Sequence, residues 1–494
     1  MESIIEYLEN KTILVTGVTG FLGKIFVEKI LRLQPNIGKL FLLLRASDPN
    51  TALHRLHSEV IDKDLFRVIK EKHGTTMHTF ISEKVIPVAG DIRLENFGVT
   101  NMDLLNDMRR QVDVVVSSAA TTKFDERYDM AFATNTLAVR HIRGFVNECT
   151  NIKLLLHVST AYVSAGERSG IVLETSLKMG ATLNGKNDLD IEEEKKVIQE
   201  RHRQLVFERA NEEAISSTMK DFGIQRAKLH GWPNTYVFSK AMGEMLLLEE
   251  GLRPDVSVVI LRPTIVGSTY REPFPGWIEG VKTIDGFIAA YGKGRTTCFL
   301  ADPFIVLDIV PADMVINAMI VAMVAHTNKP NSKTIYHVGS STSNPITISS
   351  LGNIISNYFA KHPLISQQGN PIIVTSKITY LTSMSSFNRY MVIRYVIPLK
   401  GLKYANMIFG GAFNAWYLDA DRKLNIILRL ADLFKPYVLT TIIYDDANLN
   451  KLLSSARKSV KVETQTCSFD VKSVNWEDYF MNIHIPGLVK YAIK

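Results

Sequence analysis

Residues 11–33 read KTILVTGVTGFLGKIFVEKILRL, and this stretch decides the fold. Lys11 to Val15 is a short β-branched run of the kind a buried strand uses. Gly17, Gly20 and Gly23 follow at three-residue intervals, and Ile25, Phe26, Ile30 and Leu33 then recur on one helical face. Strand, glycine turn and helix in that order are the context in which such glycines hold a dinucleotide. Gly17 permits a tight turn, Gly20 lets a pyrophosphate approach the backbone, and Gly23 lets helix and strand pack closely. Thr19, Phe21 and Leu22 complete the cofactor-binding turn. The phosphates would rest on free N–H groups at the helix N-terminus. The same glycines also suit a packing turn without a ligand, so the flanking strand and helix carry the reading.

The next apolar run, KLFLLL at Lys39 to Leu44, reads as the second strand. An NAD site usually places an acid at the end of this strand, on the ribose 2′-OH. Here the position holds Arg45, whose guanidinium suits a 2′-phosphate, so the expected cofactor is NADPH. In the rival reading Arg45 is a solvated strand-end charge and Asp48 takes the ribose.

Strand and helix patterns alternate through roughly the first 360 residues. Strand-like runs lie at Lys84–Ile92, Val112–Ala120, Lys153–Ser164, Pro254–Gly267 and Lys333–Ser341. The expected fold is α/β: a Rossmann-type doubly wound parallel sheet, followed by a helix-rich C-terminal domain. Residues 1–375 would form the reductase domain, with a charged helical insertion at about 170–230, and residues 376–494 the C-terminal domain. Asp91 and Ile92 fall where the adenine would lie, and Ala119 falls in the cofactor loop after the fourth strand.

A chain of 494 residues with 46% hydrophobic and 22% charged composition can bury a large core in more than one domain. Net charge is +7, but the basic residues are scattered without a dense block, which argues against nucleic acid. A basic surface suits anionic cofactors, phosphorylated substrates or an anionic membrane face. Cys149, Cys298 and Cys467 are far apart, with no metal-site spacing and no disulfide framework, so a reducing compartment fits. The glycine turn begins so early that no signal or plastid transit peptide is expected before it. No apolar run reaches the ~18 residues of a spanning helix. The strongest candidate, FIVLDIVPADMVINAMIVAMVAH, reads as a strand, a turn and a buried helix.

WPNTYVFSKAMGE places Tyr236 and Lys240 one helical turn apart on one face. A neighbouring ammonium favours phenolate, so Lys240 is expected to lower the Tyr236 pKa and to bond the nicotinamide ribose. Y-x-x-x-K alone is common; after a nucleotide-binding half it gains meaning. Thr160, at the end of the strand HVST, is placed to donate to an oxyanion beside Tyr236, with Ser159 as the alternative. His157 reads as a packing residue. Arg262 and Pro263 are expected to close over the nicotinamide end.

Together these residues resemble the extended short-chain dehydrogenase/reductases. More finely, LENKTILVTGVTGFLGKIFVEKILRLQPN, HVSTAYVSAGERSG, GWPNTYVFSKAMGEM, PFPGWIEG, DIVPADMVINAMI and WEDYFMNIHIPGLVKY resemble the plant, male-sterility-type, alcohol-forming fatty acyl-CoA reductases almost end to end. The resemblance implies NADPH, a long-chain acyl-CoA reduced through an aldehyde to a primary alcohol, and roles for Thr160, Tyr236 and Lys240 in that chemistry. Gly23 stands where relatives often carry Ala, and Ser117-Ser118 where Asn or a bulkier residue is expected. A nucleotide-sugar epimerase or dehydratase would use the same site residues, but with an acid after the second strand. A reductase homologue that only binds lipid is the non-enzymatic alternative. The acyl substrate suggests a cytoplasmic protein peripheral on the endoplasmic reticulum membrane. The insertion, with Arg201, Arg203, Arg209, Arg226 and Lys228, is expected to wall the acyl-CoA entrance.

Overall fold

Seven strands make one sheet: β1 Thr12–Thr16, β2 Lys39–Arg45, β3 Val85–Gly90, β4 Val114–Ser117, β5 Leu154–Val158, β6 Ser257–Pro263 and β7 Lys333–Val338. In space they run β7-β6-β5-β4-β1-β2-β3, and every neighbouring pair is parallel. This computed structural model describes residues 3–166, 169–374, 377–459 and 467–493. β1 shows why the strands are apolar on successive residues. Ile13 and Val15 join one core cluster and Leu14 the other, so helices cover both faces of the sheet. The order reverses between β1 and β4, which opens a crevice at their C-terminal ends, where such sheets take ligands.

The strands β3 to β7 all end earlier than the apolar runs suggest, and two of those ends build the site. β5 stops at Val158 because Thr160 caps a short helical turn, Ala161–Ser164, accepting the Tyr162 N–H on its hydroxyl at 3.4 Å. β6 stops at Pro263; beyond it Ile265–Gly267 pairs with Ile309–Pro311 outside the main sheet. The helix Ala312–His326 is buried on all sides except Ala325, as a strand, turn and buried helix reading requires. Among the described residues no helix is long and apolar enough to cross a membrane.

The insertion folds as two helices, Ile191–Phe207 and Glu212–Leu229, each started by a side-chain cap, Asp190 and Asn211. The expected domain boundary at 375/376 lies outside the described residues. C-terminal segments return to the first part of the chain: Thr379–Leu381 pairs with Cys298–Leu300, and Ile442–Tyr444 with Gly170–Val172. A long hairpin, with arms Met384–Ile408 and Asn414–Val438, sets its second arm beside the catalytic helix.

Candidate active site

The glycine turn fits a dinucleotide. Gly17 sits at φ +76°, and a Cβ there would meet the Ala119 nitrogen at 2.6 Å. A Cβ on Gly23 would overlap the Gly17 carbonyl oxygen. Gly20 is the N-cap of the helix Phe21–Leu33 and contributes no side-chain cap, which leaves the helix N-terminus for an anion. Thr16 Oγ1 accepts from the Ser118 and Ala119 N–H groups at 3.2 Å each, tying the loop after β4 to this turn. Thr19 and Leu22 are half-buried beside it, and Phe21 stacks on Trp277 at 5.3 Å.

Arg45 ends β2 opposite Gly90 and is exposed. Asp48, its rival, caps the next helix: it accepts from the Thr51 N–H at 2.9 Å and from the Thr51 and Ser47 hydroxyls at 2.6 and 2.8 Å. Hydrogen bonds, foremost from the Thr51 hydroxyl, hold its carboxyl at about 2. Asp91 is gripped by Arg93, at 2.6 Å at the closest; burial alone would raise its pKa, but the Arg93 bonds and charge hold it below the usual carboxylate range. The Ile92 carbonyl meets His141 Nδ1 at 3.1 Å. Pro263 offers its carbonyl to the Thr160 hydroxyl at 3.4 Å.

The catalytic helix Thr235–Leu248 begins at Asn234, whose side chain accepts the Val237 N–H at 3.1 Å and donates to the Tyr437 hydroxyl at 2.8 Å. Its position is set by Gly243, where a Cβ would overlap the Asn135 carbonyl oxygen. The Asn135 side chain donates to Thr121 O at 3.1 Å and Ser239 Oγ at 3.0 Å, and accepts the Thr121 N–H at 3.0 Å. Asn135 was not singled out by pattern, since one Asn in a helical stretch carries no local signal.

Tyr236 and Thr160 lie side by side, and the Thr160 hydroxyl favours the Tyr236 phenolate. Burial pushes the phenol up to about 12, against the Thr160 hydroxyl. The expected lowering by Lys240 does not occur here, because the ammonium faces the strand end. Lys240 Nζ donates to the Val158 carbonyl at 2.8 Å and to His157 Nε2 at 3.1 Å. Burial brings Lys240 down to about 8, and Glu244 one turn on opposes that shift. His157 does more than pack: its Nδ1 meets Ser117 Oγ at 2.9 Å, so the departure at Ser117 supplies its second partner. Burial, then the Lys240 charge, pushes the His157 pKa well below 6.5. Ser159 Oγ is buried without a protein partner, and Thr160 is the hydroxyl beside Tyr236.

Arg262 departs from expectation. Fully buried, it grips Glu244 through Nε at 3.0 Å and Nη2 at 2.5 Å, and its Nη1 donates to His337 Nε2 at 3.3 Å, so it is not free to cover a cofactor. The insertion departs as well. Arg226 is bound to the buried Glu194, which also accepts from the Tyr128 hydroxyl at 2.6 Å and meets His230 at 3.2 Å. Arg201 bonds Gln204 at 2.7 Å, and Arg203 the Gln199 carbonyl at 3.4 Å; Arg209 is exposed at a left-handed φ of 54°. Lys228 pairs with Asp432 at 3.5 Å, and Asp221 with Arg429 at 2.9 Å. These helices brace the C-terminal hairpin and contribute nothing to the lining of the cavity at Tyr236.

That cavity, about 70 Å³, is lined by Phe124, Tyr162, Phe287, Leu307, Phe434 and Tyr437, among others. The Phe124 ring stacks on Tyr236 at 6.1 Å and meets Phe434 at 5.3 Å. Tyr236 lines this largely apolar chamber, with the Thr160 hydroxyl beside it, which suits a carbonyl on a long apolar chain. Among the described residues no side-chain cluster could hold a metal.

A glycine turn at the switch point of a doubly wound sheet, with Thr160 just past a strand end and Tyr236 and Lys240 on the helix beside it, defines an extended short-chain reductase. A family profile described as "Male sterility protein" matches residues 15–319, and a second of the same description matches residues 394–494. The chain is 50% identical over 491 residues to "Probable fatty acyl-CoA reductase 4" of Arabidopsis thaliana, covering 99% of each. It is 48% identical over 494 residues to "Alcohol-forming fatty acyl-CoA reductase" of Simmondsia chinensis, covering 100% of this chain and 99% of the other. It belongs to the male-sterility-type fatty acyl-CoA reductase family. Among solved structures, the reductase domain of a non-ribosomal peptide synthetase from Mycobacterium tuberculosis shares the fold, with TM-score 0.55 at 17% identity over 98% of this chain and 92% of that one.

Proposed function

We propose that this protein reduces a long-chain acyl-CoA to the primary alcohol, through an aldehyde and with release of CoA, using NADPH. The observation that carries the reading is Tyr236, with Thr160 beside it, in the lining of an apolar chamber. Two molecules of the reduced dinucleotide, bound in turn, would each supply one hydride, one for each of the two reductions. In the first, Thr160 and Tyr236 donate to the thioester oxygen as it gains charge, which lowers the barrier. The C–S bond then breaks, the CoA thiolate leaves with the electron pair, and the aldehyde remains. In the second, Tyr236 gives its phenolic proton to the aldehyde oxygen as the alcohol forms. A phenol held at about 12 is protonated at neutral pH, as a proton donor must be. Lys240, at about 8, is largely charged there and, bonded to the Val158 carbonyl and His157, fixes the strand end that carries Thr160 against the catalytic helix.

Preference for NADPH over NADH rests on Arg45, with Asp48 and Asp91 already engaged. We assign residues 1–375 to cofactor and chemistry, and residues 376–494 to covering the acyl chain. The protein acts as a peripheral protein on the cytoplasmic face of the endoplasmic reticulum, where its apolar substrate and product partition.

Purified protein, NADPH and a chain-length series of acyl-CoAs test the reading. Two NADPH oxidised per CoA thiol freed, with alcohol identified by mass spectrometry, is expected. Tyr236→Phe should lower the rate about 10²–10⁴-fold while the fold persists. Absence of acyl-dependent thiol release, or near-normal turnover in Tyr236→Phe, overturns it.

A further inference from the structure

The large apolar side chains left in solvent concentrate on the C-terminal hairpin. Around its tip, Tyr404, Met407, Ile408, Phe409, Trp416 and Leu418 are each at least 56% exposed. The arms meet at Phe409–Phe413, where Gly410 and Gly411 adopt positive φ of 59° and 90°. The base of the hairpin is packed: Phe387, Met391, Leu424 and Val438 share a core cluster with Leu300 and Ala301. The second arm has 25 residues, roughly 37 Å at 1.5 Å per residue. It therefore carries the apolar tip away from the body. A contiguous exposed patch of this kind marks an interaction surface.

Charge selects the partner. From Thr382 to Leu418 the chain has four basic residues, Arg389, Arg394, Lys400 and Lys403, and no acidic one. Aromatic and aliphatic side chains mixed with snorkelling lysines suit the headgroup boundary of an anionic leaflet. An amphipathic pair of arms that is too polar to span lies on or dips into one leaflet.

The hairpin also leads inward. A cavity of about 280 Å³ lies between its arms, the helix Ile284–Gly292 and the strand Cys298–Leu300. Its wall includes the part-exposed Tyr395, Ile427 and Leu430, which continue the apolar surface. Its inner end shares Phe287, Phe434 and Val438 with the chamber at Tyr236. The Phe287 and Phe434 rings meet edge-on at 5.6 Å and separate the two spaces.

We propose that the hairpin tip inserts into an anionic phospholipid leaflet and that the acyl chain reaches Tyr236 from that leaflet, through the cavity closed by Phe287 and Phe434. The portal half of this inference rests on the acyl-CoA reductase reading above; the docking half does not.

Trp416 supplies a direct probe. Of the four tryptophans, Trp232, Trp277 and Trp476 are buried and Trp416 is 73% exposed. Titrating the full chain with vesicles of phosphatidylcholine and phosphatidylserine should shift its emission to the blue and float the protein with the lipid. Pure phosphatidylcholine should bind on the order of tenfold or more weakly. Ile408→Ser/Phe409→Ser should lower vesicle affinity at least tenfold while turnover of a short, water-soluble acyl-CoA is unchanged. Phe434→Trp, which narrows the passage, should raise KM for long-chain substrate by a larger factor than for short-chain substrate. Docking is overturned if the wild type neither floats nor shifts, or if sedimentation shows the tip buried in a dimer that Ile408→Ser/Phe409→Ser dissociates. The portal is overturned if Phe434→Trp leaves the chain-length profile unchanged. Vesicle binding without any acyl-CoA turnover would sink the function reading and the portal, and leave docking standing.

Discussion

His157 Nε2 accepts from the Lys240 ammonium at 3.1 Å, one strand residue before the Val158 carbonyl that takes the same ammonium at 2.8 Å. The neutral imidazole offers Nε2 to Lys240 and its Nδ1–H to Ser117 Oγ, so the lysine is held by an acceptor that carries no charge. With Lys240 at about 8 and Tyr236 at about 12, the first group to lose its proton on raising pH is the lysine. We expect kcat/KM to fall as pH rises through about 8. His157→Leu removes an acceptor from the charged form, so the falling limb should move to lower pH. His157→Gln keeps an acceptor and should restore much of the wild-type profile. Initial rates across the pH range decide this; superimposable profiles for wild type and His157→Leu would refute it.

Cofactor choice is predicted from charge at the end of β2. Arg45→Asp sets a carboxylate where a 2′-phosphate would lie and should raise Kd for NADPH by about tenfold or more, with little change for NADH. Asp48→Ala should leave the ratio unchanged, because that carboxylate is committed to Thr51 and Ser47. Cofactor titrations measure both, and a selectivity that follows Asp48 instead of Arg45 would reverse the assignment.

How much of this was legible in the chain depended on distance along it. The turn Gly17–Gly23 and the pair Tyr236–Lys240 are local, because strand, helix and glycine geometry fix them within a few residues. Thr160 was legible because the end of an apolar strand marks the ligand side of such a sheet. What a charged side chain touches was not. Lys240 turned to Val158 and His157, Arg262 to Glu244, and Arg226 to Glu194, each through a partner chosen by tertiary packing. The chamber is the extreme case. Phe124, Phe287 and Phe434 meet from three distant segments, and nothing near any of them in sequence announces it.

Acid should destabilise the protein through its buried histidines. Burial, with the Arg262 charge, pushes His337 down to about 3, and burial brings His326 to about 4. In the unfolded chain both return to about 6.5. Between the folded and unfolded values the unfolded state binds more protons, so stability is lost as pH falls from about 6.5 through about 4 toward about 3. Above that window neither histidine contributes a slope. Denaturant midpoints at several pH values test this, and His337→Gln should flatten part of the acid limb. An unchanged limb in that variant would assign the loss to other groups.

The pair Glu244–Arg262 yields the last prediction. Both side chains are fully buried, and the geometry is bidentate, with His337 taking a further guanidinium proton. Glu244 lies one turn past Lys240 on the catalytic helix, while Arg262 lies on β6 immediately before Pro263. The pair thus locks the catalytic helix to the sheet. Two charges removed from water gain little net stability when paired, but removing one leaves the other buried and unpaired. Glu244→Ala should therefore cost roughly 3–5 kcal/mol in denaturant unfolding. Glu244→Leu with Arg262→Met should recover much of that loss, because neither partner is then left as an unpaired buried charge. The double variant separates stability from chemistry. Glu244 helps hold Lys240 in its charged form, so the refolded double variant should lose activity at lower pH than the wild type. If Glu244→Ala costs less than about 1 kcal/mol, below the range for a broken buried pair, the two groups are reached by water and the lock does not exist.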